Sequence, residues 1–264
     1  MAALDAGALR AALGDTYGAV DVVDSTGSTN ADLVAVAGSA ADRTVLIAEQ
    51  QTAGRGRRAR DWVSPPASGL YLSVLLRPTG VPVSRYGSLS LVAGVALIRT
   101  ARHAGVLASL KWPNDLLAGA AMAKCAGVLA EATPDAVVVG IGLNVGALPG
   151  EVPVGPGGLP ATSFAQEGGT GDRTEVAIAL LRAFDEAERS WRGAQGDLVT
   201  SGLLSEYRGS CATLGHRVRV ELPDGSSLQG LATDVDGEGR LVVDVGGTAR
   251  TLSAGDVVHV RPGA

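Results

Sequence analysis

Several residue types are scarce in this chain of 264 residues, and each scarcity excludes something. Cysteine occurs twice, at Cys125 and Cys211, too few for a disulfide framework or a cysteine-built zinc site. Uncharged apolar runs stop well short of the roughly 18 residues of a membrane span. The opening MAALDAGALRAAL has no basic start ahead of an apolar block, so no signal peptide is expected. A net charge of −5 and a pI near 5.2 argue against a surface built wholly for nucleic acid, though not against a local basic patch. With 46% hydrophobic and 19% charged residues, the composition is that of a soluble globular protein of one or two domains, expected in the cytoplasm. Familiar catalytic signatures are absent too. There is no GxxxxGK[ST] phosphate loop, GxGxxG fails because Ala59 stands at its third glycine, and GxSxG is missing. His103, His216 and His259 share no metal-ligand spacing and read as structural or solvated.

Of 22 basic residues only Lys111 and Lys124 are lysine, and asparagine occurs only as Asn30, Asn114 and Asn144. A compact ammonium is not imitated by the planar fork of arginine, so a chain that otherwise writes its positive charge as arginine has kept two lysines for a reason or by chance. The rare residues cluster. Lys111, Trp112 and Asn114 share one short stretch, and Lys124 follows closely. That clustering marks the segment as a candidate site.

Patterning predicts a short helix at 4–13, a strand at 19–24 and a helix from Ser28, Thr29 or Asn30 to about Ala37. Strands follow at 44–51 and 69–78, with a helix over 84–104. SLKWPNDLLAG reads as strand, turn and strand. CAGVLAEA and AVVVGIGLNV are two more strands, the second apolar on both faces and so central in a sheet. The glycine- and proline-rich 146–163 is a loop, and 173–192 and 197–208 are helices. From about Thr213 the chain gives four or five short strands divided by PDGS, DGEG and GG turns, the pattern of a small all-β barrel. The expected division is 1–210 and 211–264.

Four segments carry chemistry. GRGRRAR (54–60) places +4 in a chain of net −5, with glycines for close approach and forked donors for phosphate or carboxylate. Read alone it is an anion clamp, a solvated basic loop or an RNA-binding tract. In KWPNDLL…KCAG (111–127), hairpin pairing would bring both lysines to one cavity, and with Asp115 they suit an anionic, metal-dependent substrate such as Mg–ATP. The bland alternative is a turn at Asn114-Asp115 and a core residue at Trp112. GSTN (27–30) is either a helix cap or a polar ligand contact. GIGLNV (140–145) puts glycines in a buried strand, which implies close approach by a ligand or another backbone.

Together, GSTN, QQTAGRGRRARDW, KWPNDLL, K-x-AG and GIGLNV resemble the biotin protein ligase family in order and spacing, from about residue 20 to the β-rich C-terminal region. The resemblance implies an α+β fold: a mixed sheet flanked by helices, like class II aminoacyl-tRNA synthetases, followed by an SH3-like β-barrel. It implies an ATP-dependent ligase that forms biotinyl-5′-AMP and pyrophosphate, then transfers biotin to a lysine of the biotin carboxyl carrier domain of an acyl-CoA carboxylase. A lipoate or other acyl-carrier ligase is the alternative. By the family's motifs, Ser28, Thr29, Asn30, Gln51, Gly54, Arg55, Gly56, Arg57 and Lys124 should hold biotin. Arg57, Arg60, Trp62, Lys111, Asn114 and Asn144 should hold ATP. Lys124 and Arg57 are the expected catalytic residues, and Asp115 the expected Mg²⁺ ligand. Three departures stand out: Ala59 for a glycine, Cys125 for a leucine, and the bland AGAAMA (118–123). Only about 20 residues precede the first strand, so no winged-helix DNA-binding domain and no DNA partner are expected, and no membrane partner either.

Overall fold

A computed structural model describes residues 2–148, 158–222, 225–253 and 255–259, with Ala59 and Asp256 described for the backbone alone. Seven strands form one mixed sheet: β1 (Ala19–Val23), β2 (Thr44–Ala48), β3 (Gly69–Leu76), β4 (Ala108–Lys111), β5 (Asp115–Ala118), β6 (Ala123–Ala132) and β7 (Val137–Asn144). Their order is β1-β2-β3-β7-β6-β5-β4. Only β1 and β2 pair in parallel, because helix α2 (Thr29–Ala35) lies in the crossover between them. β7 takes the centre, as its apolar run predicts.

Strand parity divides β7 between two environments. Val137, Val139, Ile141 and Leu143 join a large core with helices α3 (Leu89–His103) and α4 (Arg173–Gly193). Val138 faces the other way, into a small cluster with Leu33 and Ala37 of the α2 region and Leu75. Gly140, Gly142 and Asn144 share that second face by period-2 alternation. Helix α2 covers only part of it, and the rest is open for a site.

Element limits follow local chemistry. The N-cap Asp172 accepts the Thr174 and Glu175 amides, and Asp5 accepts the Ala8 amide at the start of α1 (Ala6–Leu13). The helix expected from 84 opens as a 3-10 segment, Val83–Ser88, before α3 begins. The helix expected from 197 begins instead as α5 (Leu203–Ser210), because Asp197 accepts the Val199 and Thr200 amides in a turn and Gly202 is left-handed at φ 76°. Of the loop expected at 146–163, residues 149–157 lie outside those described.

The C-terminal region is an antiparallel sheet of β8 (Arg217–Glu221), β9 (Ser227–Val235), β10 (Leu241–Val245), β11 (Thr248–Leu252) and β12 (Asp256–His259), in the order β11-β10-β9-β8-β12. It is fastened to the free edge of β4. Leu110 bridges to Cys211, and the Ala212 amide donates to the Leu110 carbonyl at 2.8 Å. Trp112, 1% exposed, donates twice: its backbone N–H to Thr213 Oγ1 at 3.0 Å and its indole Nε1–H to the Gly239 carbonyl at 2.9 Å. Trp112 is a core residue, but of the junction and not of one unit. Among the described residues no helix is long and apolar enough to cross a membrane.

Thr213→Val keeps shape but removes the acceptor for a buried amide. It is expected to lower stability by about 1–3 kcal/mol, read as a reduced urea midpoint, while Thr213→Ser stays close to the parent.

Candidate active site

A cavity of about 260 Å³ opens on the second face of the large sheet. Its lining brings together nearly every residue singled out from the sequence. Ser28, Thr29, Asn30 and Gln51 line one region; Lys111, Asn114, Asp115 and Asn144 line another; Lys124, Arg55, Gly56, Arg57, Arg60 and Trp62 complete the wall. Gly54 is the exception. It is buried behind the lining, where a Cβ would stand 2.5 Å from the Trp62 carbonyl. Its lack of a side chain lets the arginine segment fold back on itself.

That segment is an irregular hairpin. Gln51 bridges to Ser64 and Arg55 to Asp61, and the Trp62 amide donates to the Gly54 carbonyl. The left-handed residue at its tip is Arg58, at φ 57°, and the side chain of Ala59 lies outside the described residues. Arg58 reaches the C-terminal sheet, donating to the Leu222 carbonyl at 3.2 Å. Arg57 donates to Asn114 Oδ1 at 3.3 Å.

The two lysines reach the cavity by a route other than the expected hairpin. β4 and β6 do not pair with each other; β5 lies between them. Its first residue, Asp115, meets both: Oδ1 is 2.7 Å from Lys124 Nζ and Oδ2 is 3.7 Å from Lys111 Nζ. A bulge between Leu116 and Leu117 accommodates the register around Lys124. Asp115 is therefore an ion-pair partner of both lysines in this structure. Among the described residues no group of three or more His, Cys, Asp or Glu side chains converges on a metal position.

The glycines of β7 are filled by side chains, not by another backbone. A Cβ on Gly140 would stand 2.2 Å from Asn30 Oδ1, and one on Gly142 would stand 2.5 Å from the Trp62 ring. Gly127 of β6 pairs with Gly142 and extends the same platform; a Cβ there would stand 3.1 Å from the Trp62 ring. Lys124 Nζ lies 5.6 Å from the Trp62 ring centroid, within cation–π range. Asn144 donates to the Thr162 carbonyl at 2.9 Å, and the Lys124 backbone pairs with residues 160–162. Cys125 is fully buried with its thiol on the Asn144 carbonyl, and burial pushes that thiol's pKa far up. Its place is structural.

Two cavity-lining contributors escaped sequence reasoning. Ser73 sits inside the apolar run GLYLSVLL and is 0% exposed, yet it lines the cavity and bonds Thr29 and Asn30. Val257 lines the cavity from the C-terminal sheet. His259 stacks on His216 with ring centroids 5.6 Å apart, its ring nitrogen 3.3 Å from Thr213 Oγ1. Burial and then the Lys111 charge hold the His259 pKa down at about 4, so it stands near Lys111 as a neutral ring at pH 7.

Comparison with known proteins agrees with this geometry. Residues 20–147 match the biotin/lipoate A/B protein ligase family, and 213–260 match the biotin protein ligase C-terminal domain. The chain is 45% identical to a biotin–[acetyl-CoA-carboxylase] ligase of Mycobacterium tuberculosis, over 94% of this chain and 91% of that protein. It is 30% identical to the bifunctional ligase/repressor BirA of Bacillus subtilis, over 90% of this chain and 72% of that protein. Among solved structures, the biotin protein ligase of Aquifex aeolicus in complex with biotin and ATP superposes with a TM-score of 0.71 at 26% identity, covering 92% of this chain and 97% of that one.

Gly142→Ala is expected to drive the Trp62 indole off its platform with the fold intact. The measurement is a change in tryptophan emission that is absent when the same substitution is made in a Trp62→Phe background, with an unchanged far-ultraviolet circular dichroism spectrum.

Proposed function

The chain belongs to the biotin protein ligase family, and we propose that its cavity joins the carboxylate of biotin to the α-phosphate of Mg–ATP and passes the biotinyl group to a lysine of a biotin carboxyl carrier domain. The observation that carries this reading is the Lys111–Asp115–Lys124 cluster, set between a polar region around Thr29 and Gln51 and an arginine hairpin. Ser28, Thr29, Asn30 and Gln51 take the bicyclic head of biotin. Ser28 suits that role because it begins α2 without using its hydroxyl as a helix cap. Arg55, Gly56 and Arg57 cover the ligand, with Gly54 behind them.

A carboxylate attacks a polyphosphate poorly because both are anions. Lys124 meets the carboxylate and the α-phosphate and neutralises charge as it develops; Arg57 does the same from the hairpin. Lys111, Asn114, Asn144, Arg60 and Trp62 form the ATP side. No protein nucleophile is required, in keeping with the deeply buried, protonated Cys125. Magnesium arrives on the ATP phosphates as part of the substrate, and ions of this kind are commonly held through few protein ligands. Asp115, occupied by two lysines, spaces those ammonium groups. The product is a mixed anhydride, so a hairpin that shuts out water protects it until the acceptor lysine arrives. The unit 1–210 supplies the chemistry and 211–264 braces it. The setting is the cytoplasm.

The direct test is incubation with Mg–ATP and either biotin or lipoate, followed by mass spectrometry. Biotinyl-AMP with biotin alone is expected; lipoyl-AMP in its place would overturn the substrate. Lys124→Ala is expected to cut adenylate formation by about 10²–10³-fold with an unchanged circular dichroism spectrum. Near-parental turnover would remove Lys124 from the chemistry.

A further inference from the structure

One line of hydrogen bonds crosses the cavity floor, and its direction is determined at one end. Asn30, 4% exposed, lies on Gly140 with its amide between two strands. Its Nδ2 faces two acceptors from β6, the Leu129 carbonyl at 3.3 Å and Glu131 Oε2 at 2.6 Å. A carbonyl cannot donate, so the amide is oriented with Oδ1 towards Ser73, whose hydroxyl must donate to it at 2.6 Å. The proton of Ser73 is thereby used, and its oxygen becomes the acceptor for Thr29 Oγ1 at 2.7 Å. The alternative acceptor for Thr29, Gln51 Oε1, is farther at 3.2 Å and already takes the Thr29 backbone N–H at 2.9 Å. Thr29 Oγ1 is left with lone pairs and no proton to give.

We infer that Glu131 and Ser73 are positioning residues for ligand recognition: through Asn30 they fix the Thr29 hydroxyl as an acceptor, so that the floor selects a ligand ring N–H. The inference rests on the biotin reading, where the ureido N–H groups are the donors to be recognised. Gln51 adds the complementary donor, since its Nε2 gives one proton to Ser64 Oγ at 3.1 Å and keeps a second. A polar site built to pair a ligand N–H rejects an analogue that lacks it, because the acceptor is then buried unpaired.

The experiment measures calorimetric affinity for biotin and for an analogue whose ring N–H groups are replaced by CH₂. Variants are Ser73→Ala, Glu131→Ala and the conservative Glu131→Gln, which keeps an acceptor for Asn30. Biotin binding by the parent protein tests the underlying reading separately, and its absence would sink that reading whatever the variants do. Given binding, Ser73→Ala and Glu131→Ala are expected to weaken biotin by about tenfold, to leave the analogue's affinity nearly unchanged, and to leave the KM for ATP where it was. Glu131→Gln is expected to restore biotin affinity. Equal losses for biotin and the analogue, or a loss that Glu131→Gln fails to rescue, would reduce both residues to structural supports and overturn the inference.

Discussion

Positive charge crowded into one partly buried cavity repels itself, and the site depends on how that repulsion is offset. Lys111 and Lys124 both face a single carboxylate, Asp115, whose side chain is only 11% exposed. At separations near 3–4 Å such attractions are several times stronger away from bulk water than in it. Asp115 therefore offsets the repulsion between the two ammonium groups and lets them stand close together. On the proposed reading, a polyphosphate would find the lysines already in place, with little reorganisation left to do. The meander β4-β5-β6 makes this possible by placing Asp115 at the head of the strand between the two lysine-bearing strands.

The same sheet supplies room by omission. Ser73, Gly140 and Leu129 are cross-strand neighbours, as are Tyr71, Gly142 and Gly127. Asn30 lies on the first row and Trp62 on the second. Each glycine subtracts a side chain from the middle of a rigid, fully paired strand, and the space is taken by a polar or aromatic group arriving from elsewhere. A glycine in a strand interior costs stability, and here the cost is met by packing from the opposite face of β7. Precision comes from the strands and chemistry from the groups laid across them.

Much of this was legible in the sequence. The scarcity of lysine and asparagine singled out Lys111, Lys124, Asn30, Asn114 and Asn144, and all five line one cavity. The two-sided apolar run of β7 foretold its central place. What escaped was long-range pairing. Ser73 reads as a neutral interruption in an apolar strand, and its partners Thr29 and Asn30 are more than 40 residues away. Asp115 reads as half of an Asn-Asp turn or as a metal ligand, and its pairing with both lysines escaped because nothing local says that β5 will separate β4 from β6. Trp112 was legible as buried, but not that its partners Thr213 and Gly239 lie in the second unit. Strand limits erred by a few residues where polar ends such as Glu49 and Gln50 left the ladder.

Two of the attachments of the C-terminal sheet differ in kind. At the KWPND turn both Trp112 donors are buried and paired, so detaching the sheet would strand two polar groups and expose a core indole. At the arginine hairpin the contact from Arg58 to the Leu222 carbonyl is exposed. Water can replace a bond of that kind at a net cost of about 0.5–1.5 kcal/mol. The C-terminal sheet thus serves as a rigid stop. It holds Lys111 and Asn114 steady through Trp112, and it offers the hairpin an exposed contact at Arg58. In the proposed reaction the site must shut out water during one half-reaction and admit a protein lysine in the next; the buried Trp112 contacts suit a permanent wall, and an exposed contact such as that of Arg58 suits a part that moves.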